Sequence, residues 1–298
     1  MEIYPLLLKI VGSLWELAAI ILVGLVLEQY IPAEPDQPFR ISLFKIRILV
    51  VFTVIGVFLG NEIALLIGRV AAKLGGDGTG LGFGVDLQPR VARIVAGLMI
   101  FDFFYYWYHR LQHQSSLFWQ QHKLHHADPA LNVTSATFHH WLEGPLRTIF
   151  ISIPMSFVIK LSPEDLAIIG VVLTLWAGLK HANVRVPLGL LTPIVVGPQL
   201  HRLHHSIEPQ HRDRNFAAFF PIYDVVFGSY CGPQPSEWPA TGLPNGEWPK
   251  SVAEANLWPF VAWWGRIAAR RAPADYQQAS EIGRIQVRSD PSRSDSSR

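Results

Sequence analysis

Charge is scarce in this 298-residue sequence. Only 16% of the residues are Asp, Glu, Lys or Arg, against roughly 25% in a soluble domain, while half are apolar. With 10 Trp and 17 Phe as well, the composition suits a protein whose solvent includes a bilayer, and disorder of the whole chain is excluded. Cysteine is almost absent. Cys231 stands alone, which excludes an intrachain disulfide, a zinc ribbon, an iron–sulfur cluster and a redox dithiol, so any metal must be held by nitrogen and oxygen. An excess of one charge is missing too: 25 Lys and Arg face 23 Asp and Glu. Without a basic run interleaved with aromatics, a nucleic-acid partner is excluded.

Several catalytic signatures are also missing. There is no G-x-S-x-G elbow and no H-E-x-x-H helix, so hydrolases of those kinds have no support. The glycine-rich stretch 75–84 contains neither the dinucleotide fingerprint nor a P-loop lysine, and reads as a connector between helices. The sequon Asn132-Val133-Thr134 is short and carries little weight for glycosylation.

Long apolar runs are present. Residues 4–27 are long enough to span a bilayer, and lack the charged n-region and small-residue cleavage site of a signal peptide. They are expected to remain as a first membrane helix. Residues 46–68 and 91–108 are the second and third, the latter ending in the aromatic run FDFFYYWYH that suits a membrane–water interface. Two shorter apolar runs flank SPED within 146–180 and read as a helical hairpin. Glu16, Asn61 and Glu62 are expected as glue between helices. Asp102, two turns before the first histidine motif, is expected to orient a ligand ring. The Trp/Pro-rich stretch 232–264 reads as an interfacial cap with turns rather than a helix pair, and 272–298 as a disordered tail. The expected fold is thus an all-α membrane bundle: helices and connector in 1–90, a catalytic region in 91–231, a cap in 232–271 and a tail in 272–298.

Histidine placement is the informative feature. Of 12 histidines, seven lie between His109 and His140 and three more form His201, His204 and His205. They spell H-x-x-x-H at His109 and His113, H-x-x-H-H at His122, His125 and His126, and H-x-x-H-H again at His201, His204 and His205. Residues three and four apart share a helix face, so each motif aims imidazoles at a common point. Eight exceed one metal's needs, and two ions are the economical inference. A single such histidine is more often a hydrogen-bonded interfacial residue. Three spaced motifs reverse that balance, and a loosely spaced histidine-rich transport tract fits them poorly.

These motifs resemble the fatty acid hydroxylase and sterol desaturase superfamily of integral-membrane di-iron oxygenases. HRLQHQSSLFWQQHKLHH is similar to its first two histidine boxes, LKHANVRVP with LHRLHHSIE to its third, and RNFAAFFPIYDVVFGSY to its closing signature. The resemblance covers residues 102–230. It implies that His109, His113, His122, His125, His126, His201, His204 and His205 are catalytic metal ligands. His181 and His140 would add two more, with Glu143 as companion of His140, while His139 and His211 stay structural. Asp102, Glu143 and Asp224 are the acidic groups expected to orient ring nitrogens. Departures from the family pattern are Tyr223 for Trp, Ala217 for Gly, Ser229 for Thr and Trp141 for Pro.

The implied activity is hydroxylation or desaturation of a lipid, a fatty acyl chain or a sterol, with two iron ions, O2 as co-substrate and two electrons from a separate b5-like protein or a ferredoxin with its reductase. The bilayer would be either the bacterial inner membrane or the endoplasmic reticulum. Arg266, Arg270 and Arg271 after the last box place the catalytic face in the cytoplasm. A histidine-rich metal transporter or sensor is the alternative. It should show a polar path through several helices, whereas these imidazoles gather at helix ends.

Overall fold

The computed structural model describes residues 3–73 and 85–271. The expected connector 75–84 and tail 272–298 lie outside the described residues, as do the side chains of Glu16 and Asn61. Regular structure is helical, and no strand occurs among the described residues; extended pairing is limited to isolated bridges such as Val85 with Ile159. Three long helices come first: α1 (Ile3–Leu27), α2 (Phe39–Lys73) and α3 (Arg90–Gln114). Two stretches are long and apolar enough to cross a membrane, Phe39–Leu59 and Arg90–Gln114, while α1 offers the shorter Leu17–Leu27. α3 runs past the expected end at Tyr108 and carries both histidines of the first motif. Glu62, expected as glue between helices, is exposed.

The expected hairpin forms. Its first arm is α5 (Glu143–Arg147), a π turn at Thr148–Ser152 and α6 (Ile153–Val158). The wide turn stands ahead of Pro154, which has no N–H to donate back into it. The return arm is α7 (Pro163–His181), opened by a capping box in which Ser162 Oγ accepts from the Asp165 N–H and Asp165 accepts from the Ser162 N–H. The buried Asp165 carboxylate also accepts from Arg90 Nε at 2.8 Å and Arg93 Nε at 2.7 Å. The hairpin turn is thereby tied to the start of α3, and α7 runs back to end on His181.

Close helix contacts need small residues here. A Cβ on Gly24 of α1 would stand 2.5 Å from Val133, and one on Gly97 of α3 would stand 2.7 Å from Ile169 of α7, closer than packed side chains approach. The remaining elements are short: α4 (Trp119–His126), α8 (Pro198–His204) and α9 (Ile222–Val226). In the expected cap region one helix forms, α10 (Val252–Arg271), sustained by Ala, Leu and Glu although it contains Pro259. The described residues divide into two compact units, one ending at Asn256 and the other beginning at Leu257.

Candidate metal centre

Polar anchors hold the loops that follow each histidine motif. Buried Lys45 donates to Asp128 Oδ2 at 2.7 Å, to the Ala130 carbonyl, to Asn132 Oδ1 and to Ser135 Oγ, fixing residues 128–135 after α4. Glu28 accepts from the Val133 and Asn183 N–H groups. Asn132 is buried and caps the 3₁₀ turn Val133–Thr137, so the sequon has a structural task. Two carboxylates pin the loop after α8. Asp102 accepts from the N–H groups of Ala218, Phe219 and Phe220, and Asp224 from those of Phe216 and Ala217. Both were expected on ring nitrogens. They bind backbone amides instead, because the loop comes to them edge-on with its N–H groups.

That loop in turn orients the imidazoles. The Phe216 carbonyl takes His109 Nδ1 at 2.7 Å, the Arg214 carbonyl His204 Nδ1 at 2.7 Å, and Asp213 Oδ1 His113 Nδ1 at 3.2 Å. On the other side, the Ala177 carbonyl takes His181 Nδ1 at 2.7 Å and the Phe138 carbonyl His125 Nδ1 at 3.3 Å. A carbonyl only accepts, so Nδ1 is the protonated nitrogen in these rings and Nε2 keeps its lone pair.

The structure gathers nine imidazoles into two groups. His109, His113, His122, His126 and His204 form one, and His125, His181, His201 and His205 the other, the ligand nitrogens of each lying within 4.8 Å of one another. The i, i+4 pairs His122/His126 and His201/His205 each share a face, while His125 and His204 turn to the opposite group. The groups adjoin where the His126 and His205 rings stack at 4.4 Å.

Within the groups, ring nitrogens face each other, and for His125 and His181, whose Nδ1 atoms both meet carbonyls, the facing nitrogens are both bare. His109 Nε2 stands 3.1 Å from His122 Nε2, and His113 Nε2 3.1 Å from His126 Nε2. His181 Nε2 lies 3.3 Å from His125 Nε2 and 2.9 Å from His201 Nε2. His204 Nε2 and both nitrogens of His205 are buried with no hydrogen-bond partner. Lone pairs at this range repel one another unless a cation lies between them. Two nitrogens at right angles on one ion, each bonded at about 2.1 Å, stand about 3 Å apart. The donor set therefore fits metal ions held by imidazole. Burial, and then repulsion by neighbouring rings or, for His201, by the Lys180 ammonium, holds His122, His125, His126, His201, His204 and His205 well below the usual histidine range, so all six are neutral and able to ligate.

His140 is not brought into either group. Its Nε2 donates to the Asn256 carbonyl at 3.0 Å and its Nδ1 accepts from the Leu142 N–H at 3.2 Å, which uses both nitrogens. Its expected companion Glu143 is elsewhere, accepting at Oε2 from Tyr108 Oη, Gln112 Nε2 and Gln121 Nε2, within 4.8 Å of His122 and His139. His139 stacks on His125 at 3.8 Å. His211 contacts Glu237 at 3.1 Å. The residues that sequence reasoning did not name are Tyr108, Gln112, Gln121 and Asp213, along with the four orienting carbonyls. Backbone carbonyls leave no sequence signal at all.

Fold and site together describe a helical protein in which two adjoining groups of histidines, a donor set that fits metal ions, lie beside apolar helices. Residues 94–229 match the model of the fatty acid hydroxylase family, and this histidine-bearing region belongs to that family. The chain is 32% identical over 130 residues to alkylglycerol monooxygenase of Xenopus tropicalis, covering 43% of this chain and 28% of that protein. It is 31% identical over 151 residues to ornithine lipid hydroxylase OlsE of Rhizobium tropici, covering 51% and 45%. It is also 28% identical over 138 residues to very-long-chain aldehyde decarbonylase GL1-4 of Oryza sativa subsp. indica, covering 43% and 22%. The chain spans less than half the length of each of these relatives. No solved structure matches it.

The departures from the family signature keep the loop anchored. Tyr223 Oη donates to the Met99 carbonyl at 2.8 Å, Ser229 Oγ to Asp224 at 2.7 Å, and Trp141 Nε1 to Asn256 Oδ1 at 2.6 Å.

Proposed function

We propose that this chain is a membrane-embedded lipid hydroxylase with a di-iron centre. One ion is held by His109, His113, His122, His126 and His204, the other by His125, His181, His201 and His205. The observation that carries this reading is the convergence of nine imidazoles in two groups, the ligand nitrogens of each within 4.8 Å of one another. The relatives, named as lipid hydroxylases and monooxygenases, favour hydroxylation over desaturation.

When bound, the iron supplies the oxidising power that breaks an unactivated C–H bond with O2, which no acid–base side chain provides. The chain's own residues do the rest. Carbonyls of Phe216, Arg214, Phe138 and Ala177 hold each Nδ1–H, so that Nε2 faces inward. Burial keeps the rings neutral and excludes water from the reacting carbon. Tyr108, Gln112 and Gln121 keep the Glu143 carboxyl beside His122. α1, α2, α3 and the α5–α7 hairpin lie in the bilayer, with the histidines at their cytoplasmic end. Electrons come from a separate b5-like protein or a ferredoxin with its reductase. Exposed Arg212 and Arg214 flank Asp213, the residue that holds His113, and suit an acidic carrier.

Iron content of the detergent-purified protein, expressed with iron, tests this. About two irons per chain are expected for wild type, with loss in His125→Ala. Protein without iron, or iron indifferent to that substitution, would overturn the reading.

A further inference from the structure

Two cavities lie beside the hairpin. The larger, about 430 Å³, is walled by Phe101 of α3 and by apolar residues of the hairpin such as Met155, Leu166, Ile169 and Leu173. The smaller, about 220 Å³, lies between α1, the 3₁₀ turn after Asn132 and α7. Arg147, Leu173 and Thr174 line both, so the cavities adjoin at the last residue of α5. The smaller cavity reaches toward the histidines: Ala177 in its wall gives its carbonyl to His181 Nδ1, and Thr137 in the same wall stands two residues before His139.

Arg147 is out of place in such walls. A guanidinium keeps its charge at any ordinary pH and presents five N–H donors. Among the described residues no carboxylate or carbonyl accepts a hydrogen bond from it; it lies over the ring faces of Phe101 at 5.7 Å and Tyr105 at 5.6 Å, while the buried Glu143 carboxylate one turn back on α5 and the buried Lys180 ammonium act on it only through space. Those rings hold the cation in place by cation–π attraction and leave its in-plane donors free. Lys160, the other charged residue lining the larger cavity, sits at the exposed hairpin turn. A half-buried, permanently charged group between apolar helices, whose donors meet no acceptor while Tyr108, Gln112 and Gln121 hold the Glu143 carboxylate, marks a ligand path. Cavities of roughly 300–1,000 Å³ are the usual size of small-ligand sites.

We propose that Arg147 is a specificity-determining residue that binds the anionic head of a lipid, a phosphate or carboxylate, while one alkyl chain occupies the larger cavity. The pairing is charge-assisted and bidentate. It names the substrate class for the proposed centre and rests on that reading only for the oxidation, since binding itself needs no metal.

The test is equilibrium binding to the full chain in detergent, measured by calorimetry with and without iron, so that coordination of the anion to metal is separated from binding at Arg147. Probes are dodecyl phosphate, dodecanoate, dodecanol, dodecyltrimethylammonium and inorganic phosphate. Dodecyl phosphate and dodecanoate are expected to bind at least tenfold tighter than dodecanol or the ammonium compound in both metal states. Inorganic phosphate, lacking the chain, should not displace them. Arg147→Gln should erase the preference for anions over dodecanol, and Arg147→Lys should restore part of it, an outcome that lost packing alone does not produce. Equal binding of anions and dodecanol, a preference that survives Arg147→Gln, or displacement by inorganic phosphate would each overturn the proposal. The wild-type probe series decides even where a variant fails to fold. Iron without an anion preference would sink this inference alone, and an anion preference without iron would sink the hydroxylase reading alone.

Discussion

An imidazole ligates a metal only through a nitrogen that carries a free lone pair, so the partner of the other ring nitrogen decides what each histidine does. His109, His181 and His204 spend Nδ1 on a carbonyl and keep Nε2 for the centre. His140 spends both nitrogens on the backbone, and its neutral form is the one that fits, since Nδ1 must accept. Burial pushes it down to about 4, opposed by the Asn256 carbonyl. Its folded value is thus below the unfolded value near 6.5. The unfolded chain binds more protons between pH 6.5 and 4, and stability from this group is lost as pH falls through that window. In His140→Phe the slope of unfolding free energy against pH should be shallower there by at most about 1.4 kcal/mol per pH unit, read from denaturant unfolding in detergent. The same variant should keep its iron while His126→Ala loses it; iron lost from His140→Phe would return His140 to the ligand set.

At the scale of elements, helices supply the imidazoles and loops aim them. α3, α4, α7 and α8 deliver the rings, but the aim of His109 and His204 comes from residues 214–216, pinned through Asp102 and Asp224. Burial raises the Asp224 carboxyl, and the two N–H groups that it accepts keep it in use as an anchor. Lys45 plays the matching part for the loop after α4. Lys45→Met would leave Asp128 buried without its cation, at a cost of about 3–5 kcal/mol. Unfolding measurements should show that loss, and hydrogen exchange should rise over residues 128–138. If exchange there stays at the wild-type level, α2 does not fix this loop.

At the scale of the whole molecule, the hairpin return matters most. The run from α5 to α7 leaves the histidine end and comes back to it, so that His181 and α8 meet α3 and α4. A core of nine inward-facing neutral rings is then costly when empty and favourable when filled, so metal binding and folding are linked. Loading iron(II) at 1,000 times its dissociation constant should stabilise the protein by about 4 kcal/mol for each ion bound. Chelation should lower the melting temperature correspondingly, and equal melting of loaded and stripped protein would exclude such a centre.

Much of this was legible in the sequence because it is local. Apolar runs of bilayer length, the i, i+4 histidine pairs and the SPED turn between two apolar runs all follow from neighbours within a turn or two of chain. The division of nine rings into two groups did not follow, because it depends on where α8 lands against α4. Nor did the exclusion of His140 or the place of Glu143 beside His122, since their partners lie far away in sequence. His109 takes its orientation from a carbonyl 107 residues downstream, and Asp102 binds amides 116 to 118 residues away. Spacing along a helix decides which side chains share a face. Only the packed chain decides which backbone carbonyl each one meets, and through that hydrogen bond which nitrogen remains to hold a metal.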